Sequence, residues 1–169
     1  MRSHVAIVFL FAAISFNSTA LSMNNIHDDI TLKILCDAQN ECIYRGEDVD
    51  ILICIKNKGK SEVSIPVAYL QKAGPIMTLI DERTGKTLSI RRNRPPSKLL
   101  KELKIVAPGS EADLHWSITR EEVETFRHEI IAISVEVKLI MPAVVDGVEE
   151  RMMAIGTTKI VGKSIFFGD

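Results

Sequence analysis

The stretch "IIAISVEVKLI", residues 130–140, decides the fold. Apolar side chains occupy every second position from Ile131 to Leu139, and residues such as Glu136 and Lys138 stand between them. Successive side chains of a β-strand point to opposite faces of its sheet. The two-residue period therefore predicts a strand that buries one face and exposes the other.

The same period recurs along most of the chain, for example at residues 30–35, 49–57 and 111–118. Gly85 and the Asp146-Gly147 dipeptide have the character of hairpin turns. Short strands at this spacing predict an all-β fold, an immunoglobulin-like two-sheet antiparallel sandwich of about eight or nine strands. Two glycines within the last strand patterns, Gly156 and Gly162, are interpreted as bulges or bends.

The strand stops at "TREE", residues 119–122, and one short helical corner is expected from about 120 to 125. Thr119 and Glu122 have the spacing of a capping box, in which each side chain accepts a backbone N–H at the start of the helix. In the strand before this corner, the period directs Trp116 into the core and His115 to the outer face. The histidine and the tryptophan are therefore expected to lie on opposite sides of the sheet.

The N-terminus has the order of an export signal. A basic residue precedes an apolar run, and small residues follow it, as in a cleaved signal peptide. We predict a signal peptide at 1–22, a flexible N-terminus at 23–29 and a single β-sandwich domain at 30–169, located in the periplasm or secreted. An uncleaved anchor is the alternative, but the run is short for a bilayer span of about 20 residues. No stable membrane insertion is expected after cleavage.

The chain has three cysteines, an odd number. Export would place them in an oxidising compartment, where disulfides persist. Cys36 and Cys42 flank a polar, turn-like stretch, so we predict that they form a disulfide. Cys54 lies within a strand pattern, and we expect it to be a buried free thiol.

Several segments resemble bacterial exported immunoglobulin-like modules. The early strands at 44–66, the hairpin at 79–88, the Pro-Gly turn and following strand at 103–119, and the late strand at 128–141 occur in that order. The layout is also similar to that of the BsuPI-type proteinase inhibitors, which are small β-sandwiches. The resemblance implies protein binding through loops, with a protease as the partner of that family. No inhibitory residue is carried over, because no matched motif holds one.

Catalytic, metal and nucleic-acid functions find little support. A net charge of −1 gives no general affinity for nucleic acid. There is no G-x-S-x-G stretch, and His115 and His128 are expected to be solvated. We therefore predict no enzyme, no catalytic residue, no cofactor and no metal site. The acids at 121–124 are interpreted as residues that stabilise the positive N-terminal end of the helical corner.

The best candidate for partner binding is a basic connection that contains two adjacent prolines. Its cations are Arg91, Arg92, Arg94 and Lys98. Arginine binds carboxylates and phosphates in a fork geometry, and prolines reduce the entropy that a loop loses on docking. The alternative is a solvated loop. After the connection we predict a strand around Leu103 to Val106, with a short helical turn at 98–104 as the alternative. We predict an exported, non-catalytic protein-binding module. An inhibitor or an immunity-type protein is a specific form of this prediction. The competing hypothesis is a structural or accessory component of a cell-envelope assembly.

Overall fold

The computed structural model describes residues 29–36 and 41–165, and it shows a sandwich of two β-sheets. The predicted signal peptide, residues 1–22, lies outside the described residues. The predicted flexible N-terminus does too, except for Asp29. Neither α-helix in the described part of the chain has the length and apolar character needed to cross a bilayer.

Within this part of the chain there are ten strands, two short α-helices and one turn of 3₁₀ helix. The strands are β1 (Ile30–Leu35), β2 (Glu41–Tyr44), β3 (Val49–Asn57), β4 (Val63–Ile65), β5 (Ile76–Asp81), β6 (Thr87–Ile90), β7 (Lys104–Val106), β8 (Glu111–Ile118), β9 (Ile130–Val145) and β10 (Val148–Lys163). The helices are α1 (Val67–Ala73), the 3₁₀ turn Ser97–Lys101 and α2 (Arg120–Glu124).

The smaller sheet has three strands in the order β1-β3-β8, and all its pairs are antiparallel. The larger sheet is built on the β9–β10 hairpin, with β2 beside β10. On its other side β9 has two successive partners. Residues 133–138 pair with β5, which carries β6 at its own edge, and Val144 and Val145 pair with β4, which carries β7. Residues 139–143 lie between these two ladders.

The predicted all-β, two-sheet sandwich is confirmed. Three details of the prediction are wrong. The strands number ten in the described chain instead of eight or nine, and β2 pairs with β10 in parallel instead of antiparallel fashion. The helical corner, α2, is present with its complete capping box of Thr119 and Glu122, but α1 is a second helix. β2 has only four residues, too few for a visible period.

Inward-facing side chains of both sheets form one core. In β9 every odd-numbered residue from Ile131 to Ala143 is buried, which confirms the period that predicted this strand. In β8 the alternation also holds: His115 is exposed, and Trp116 is half-buried and packs against the core. The Trp116 ring lies over Gly74, where a Cβ would come within 2.7 Å of Trp116 Cζ2.

Gly156 and Gly162 do not mark bulges. β9 and β10 pair over sixteen residues without a change of register. A Cβ at Gly156 would collide with Ile34 and lie 2.9 Å from Leu32 Cβ, because β1 crosses β10 at this point. A Cβ at Gly162 would in the same way meet the backbone of β2. Both glycines permit close approach of a neighbouring strand.

The predicted disulfide between Cys36 and Cys42 is present, with the two Cα atoms 5.0 Å apart. Cys36 follows β1 and Cys42 lies in β2, so the bond joins the two sheets of the sandwich. Both residues belong to the buried core. Cys54 is a buried free thiol, as predicted.

Candidate functional site

The basic connection after β6 is fixed against the C-terminal end of α1. The Asn93 backbone N–H donates to Ala73 O at 2.9 Å, and its side-chain amide donates to Lys72 O at 3.2 Å. Arg92 Nε donates to Gly74 O at 2.9 Å. The last carbonyls of a helix have no partner within the helix, so these donors satisfy groups that α1 leaves open. The connection is therefore tied to the fold at three points.

The structure places the four predicted cations in two different environments. Arg91, Arg94 and Lys98 are exposed, whereas Arg92 is half-buried through its bond to Gly74. Residues 91–104 hold six cations and one acid, a net charge of +5 in a chain whose total is −1. The segment is thus a concentrated positive surface, although Arg92 also has a structural role that the sequence did not indicate.

Arg92 lines a cleft of about 480 Å³. The cleft is also bordered by α1, the 3₁₀ turn and the β9–β10 hairpin. The other lining residues are Tyr69, Leu100, Ile140, Met141, Pro142, Glu149, Glu150 and Arg151. It lies where β9 passes from its β5 ladder to its β4 ladder. Proline has no N–H to donate to a ladder, so Pro142 fits this interval without leaving a donor unpaired.

The charges around the cleft are mixed. Within residues 29–36 and 41–165, Arg92 forms no ion pair with a carboxylate, and its side chain donates to Gly74 O. Arg151 and Glu149 are exposed on neighbouring positions of β10. A half-buried guanidinium without a carboxylate has lost part of its hydration, so an incoming anion would find it favourably placed.

A second groove, of about 500 Å³, lies on the outer face of the smaller sheet beyond the end of β1. Asp50, His115 and Ser117 are among its lining residues, and Trp116 also borders it. The Ser117 hydroxyl donates to the Asp50 carboxylate. A triad requires the serine to donate to an imidazole that the acid orients, so this arrangement does not activate the serine. His115 is on the outer face, as predicted, but both His115 and Trp116 border the groove.

Cys54 Sγ and the carboxylates of Glu111 and Asp113 lie within 4.8 Å of one another on the same outer face. Burial, followed by a hydrogen bond with Asp113, raises the pKa of the Cys54 thiol to about 11. At this pKa the thiol is largely protonated at pH 7, whereas nucleophilic attack requires the thiolate. Lys56 Nζ is 2.9 Å from Glu111 Oε1 and neutralises that carboxylate.

Two acids of the helical corner tie loops to the sandwich. Glu122 completes the capping box of α2, as predicted for the acidic corner. Glu124 is different, because its carboxylate is buried and accepts from the Tyr44 hydroxyl at 2.7 Å and from the Ser164 hydroxyl. Burial and the nearby Glu124 raise the pKa of the Tyr44 phenol.

His128 Nε2 is 2.9 Å from the buried carboxylate of Asp81, which also accepts from the Thr84 hydroxyl and the Arg83 N–H. Burial tends to raise the pKa of Asp81, but these hydrogen bonds together outweigh it and lower the pKa. The four groups hold the β5–β6 turn against the chain that precedes β9. They form a structural cluster, with His128 as one of its donors.

Most of the cleft was not predicted from the sequence, because α1 was not predicted. Pro66 precedes the first residue of the helix and Gly74 follows its last. Proline at the start of a helix and glycine just past its end are typical. These two residues were the signal in the sequence from which α1 could have been predicted. No local signal links Tyr69 with Pro142 or Arg151, since only the folded chain brings them together.

No protein-family model matches the chain, and no curated protein matches it. Several solved structures align with it, and two of them have identities of 13% and 10%. The X-ray structure of Northeast Structural Genomics Consortium target SoR45 is 13% identical, with 86% of this chain and 96% of that chain covered and a TM-score of 0.45. A crystal structure of a protein from Archaeoglobus fulgidus is 10% identical, with 79% and 97% covered and a TM-score of 0.37. Likenesses this weak assign the chain neither a family nor a function.

Proposed function

We propose that the chain is an exported, non-catalytic module that binds a protein partner through the basic surface formed by Arg91, Arg94 and Lys98. The signal-like N-terminus and the Cys36–Cys42 disulfide support export, since disulfides persist in oxidising compartments. An inhibitor or immunity-type role is a specific form of this function, and the resemblance of the sequence to BsuPI-type inhibitors is what suggests it.

The observation that carries the proposal is the attachment of the basic connection to α1. Three hydrogen bonds from Arg92 and Asn93 hold the loop in place before any partner arrives. A loop that is already ordered loses less conformational entropy on binding, so more of the interaction energy appears as affinity. Exposed arginines on such a loop suit a partner that presents carboxylates.

The test compares two charge-reversed variants of the mature domain in capture experiments from the envelope and the culture medium. The first variant carries Arg91→Glu, Arg94→Glu and Lys98→Glu and leaves the anchoring Arg92 intact. The control carries the same charge change on exposed lysines of two turns, Lys58→Glu, Lys60→Glu and Lys86→Glu. We expect the first variant alone to lose the captured protein, whose affinity is then measured with purified components.

An equal affinity of both variants for that purified protein would contradict the proposal. If the partner is a hydrolase, its activity is assayed with and without the domain. Inhibition by the unaltered domain and by the control, but not by the first variant, identifies an inhibitor. A partner whose activity is unchanged leaves binding without inhibition as the function.

The structural or accessory role is favoured by a different observation. β7 pairs with β4 on one side only. Leu103, which precedes the strand, and Ile105, which lies within it, are 42% and 60% exposed. Such an edge is able to accept a strand from another protein. Capture that survives reversal of the basic surface and is lost on Ile105→Pro would support this role in place of the first.

A further inference from the structure

The cleft beside the basic connection has apolar walls. Tyr69, Leu100, Ile140 and Pro142 line it from α1, the 3₁₀ turn and β9. Its volume of about 480 Å³ lies within the range of roughly 300–1,000 Å³ typical of small-molecule and cofactor pockets, and is ample for one large side chain. The walls come from elements already held in the fold, so the cleft exists before a partner binds.

The rim of the cleft is charged. Arg92 reaches it with no carboxylate partner among the described residues, and the exposed cations of residues 91–104 continue from it. Glu149 and Glu150 line the same cleft from β10 and oppose carboxylates and phosphates alike, so the anionic groups of an occupant belong on the side of Arg92. Apolar walls beside a short positive surface fit an acidic polypeptide better than a nucleic acid.

We propose that this cleft receives one apolar side chain of an extended, acidic segment of the protein partner. Carboxylates of that segment pair with Arg92 and with the exposed Arg91 and Arg94. The apolar side chain packs against Leu100 and Ile140, where it leaves water. The inference rests on the proposed function and specifies the chemistry of the partner.

The test uses arrays of short synthetic peptides and the mature domain. One set combines aspartates with a single leucine, phenylalanine or tryptophan at each position. A second set has serine at that position, and a third has lysine in place of aspartate. Burial of one large apolar side chain predicts that the best peptide of the first set binds at least about tenfold more tightly than its serine counterpart. No binding should occur in the lysine set.

Two variants then locate the bound peptide by fluorescence anisotropy. Leu100→Trp fills the cleft and keeps every charge, and we expect it to weaken binding about tenfold. The double variant Arg91→Glu with Arg94→Glu should weaken it at least as much, whereas the control Lys58→Glu with Lys60→Glu should not. Ile140→Ser replaces Leu100→Trp if the latter lowers the unfolding midpoint.

The outcomes separate the two proposals. If charge reversal abolishes binding of the partner while Leu100→Trp and Ile140→Ser do not change it, the cleft is not the docking site and the basic surface remains the proposed function. If serine peptides bind as tightly as apolar ones, or if no peptide of the first set binds, the present inference is overturned. Equal binding of the protein partner by the reversed and control variants overturns both proposals. A single-stranded oligonucleotide is measured in the same anisotropy assay, and its tighter binding than any acidic peptide would overturn the acidic segment as the occupant.

Discussion

The side chain of Gln71 covers the edge of β8, and its removal should destabilise the domain and open that edge. Gln71 Nε2 donates to His115 O at 2.6 Å, and the His115 N–H donates to Gln71 Oε1 at 2.9 Å. β8 pairs with β3 on one side only. On its other side, the Gln71 amide takes the place that a neighbouring strand would occupy. Free edges of this kind pair with other chains.

The change Gln71→Ala removes both hydrogen bonds and little buried apolar area. Each such bond contributes a net 0.5–1.5 kcal/mol, roughly. Water replaces the lost partners because both groups lie at an exposed edge, so we expect the lower end of that range for each bond. The free energy of unfolding should fall by about 1 kcal/mol in total, and the melting temperature by about 3 °C.

Three measurements on one preparation examine this reasoning. Chemical denaturation gives the free energy of unfolding, hydrogen exchange gives the protection of the His115 amide, and sedimentation velocity gives the association state. We expect lower stability, faster exchange at His115 and a concentration-dependent shift to larger species. His115→Ala is the matched control, since the histidine contributes only its backbone to both bonds.

Gln71→Glu separates the two bonds. It keeps an acceptor for the His115 N–H but has no donor for the His115 carbonyl, and it places a negative charge at the edge, which should oppose self-association. An alanine variant with native stability, native exchange at His115 and an unchanged sedimentation profile would refute the account of Gln71 as an edge cover.

Three further outcomes follow from the fold. The Cys36–Cys42 disulfide closes a seven-residue loop, and its reduction should lower the free energy of unfolding by about 2.4 kcal/mol. In the same denaturation assay, a variant with both cysteines changed to alanine should show no response to reductant. The pKa of Asp81 is lowered in the folded state, so its stabilising effect is present above the usual carboxyl pKa of about 3.9 and is lost as the pH falls through the folded value. In denaturation experiments across pH 3–6, the free energy of unfolding of Asp81→Asn should therefore fall less steeply towards acid pH than that of the unaltered domain. Identical pH dependence of the two proteins would contradict this. Gly156→Ala should cost about 1–3 kcal/mol by overpacking against β1, with partial recovery in a double variant that shortens Ile34 to valine.

The sequence predicted the elements whose period extends over enough residues. β3 and β9 show the alternation along their length, and β1, β3 and β8 end where the pattern ends. The capping box of α2 and the Asp146-Gly147 hairpin were also predicted correctly, because each depends on chemistry within a few residues. Such features are decided locally, so the sequence alone contains their cause.

The features that were missed depend on contacts between distant parts of the chain. β2 pairs in parallel with the end of β10, more than 100 residues away, and the disulfide at Cys42 helps to hold it there. Gly156 and Gly162 were interpreted from their own strand, whereas β1 and β2 determine why they are glycines. A local pattern contains no information about which strand crosses above it.

Both the cover on β8 and the proposed binding surface depend on α1, a helix of only seven residues. Gln71 directs its amide to β8, Leu70 and Ala73 are buried in the domain, and Tyr69 lines the cleft. The carbonyls at the end of the helix hold Arg92 and Asn93. A helix this short has little stability of its own and is maintained by its tertiary contacts. Perturbing one side of α1 should therefore weaken the others, so that loss of the edge cover and loss of the ordered basic surface are expected to occur together.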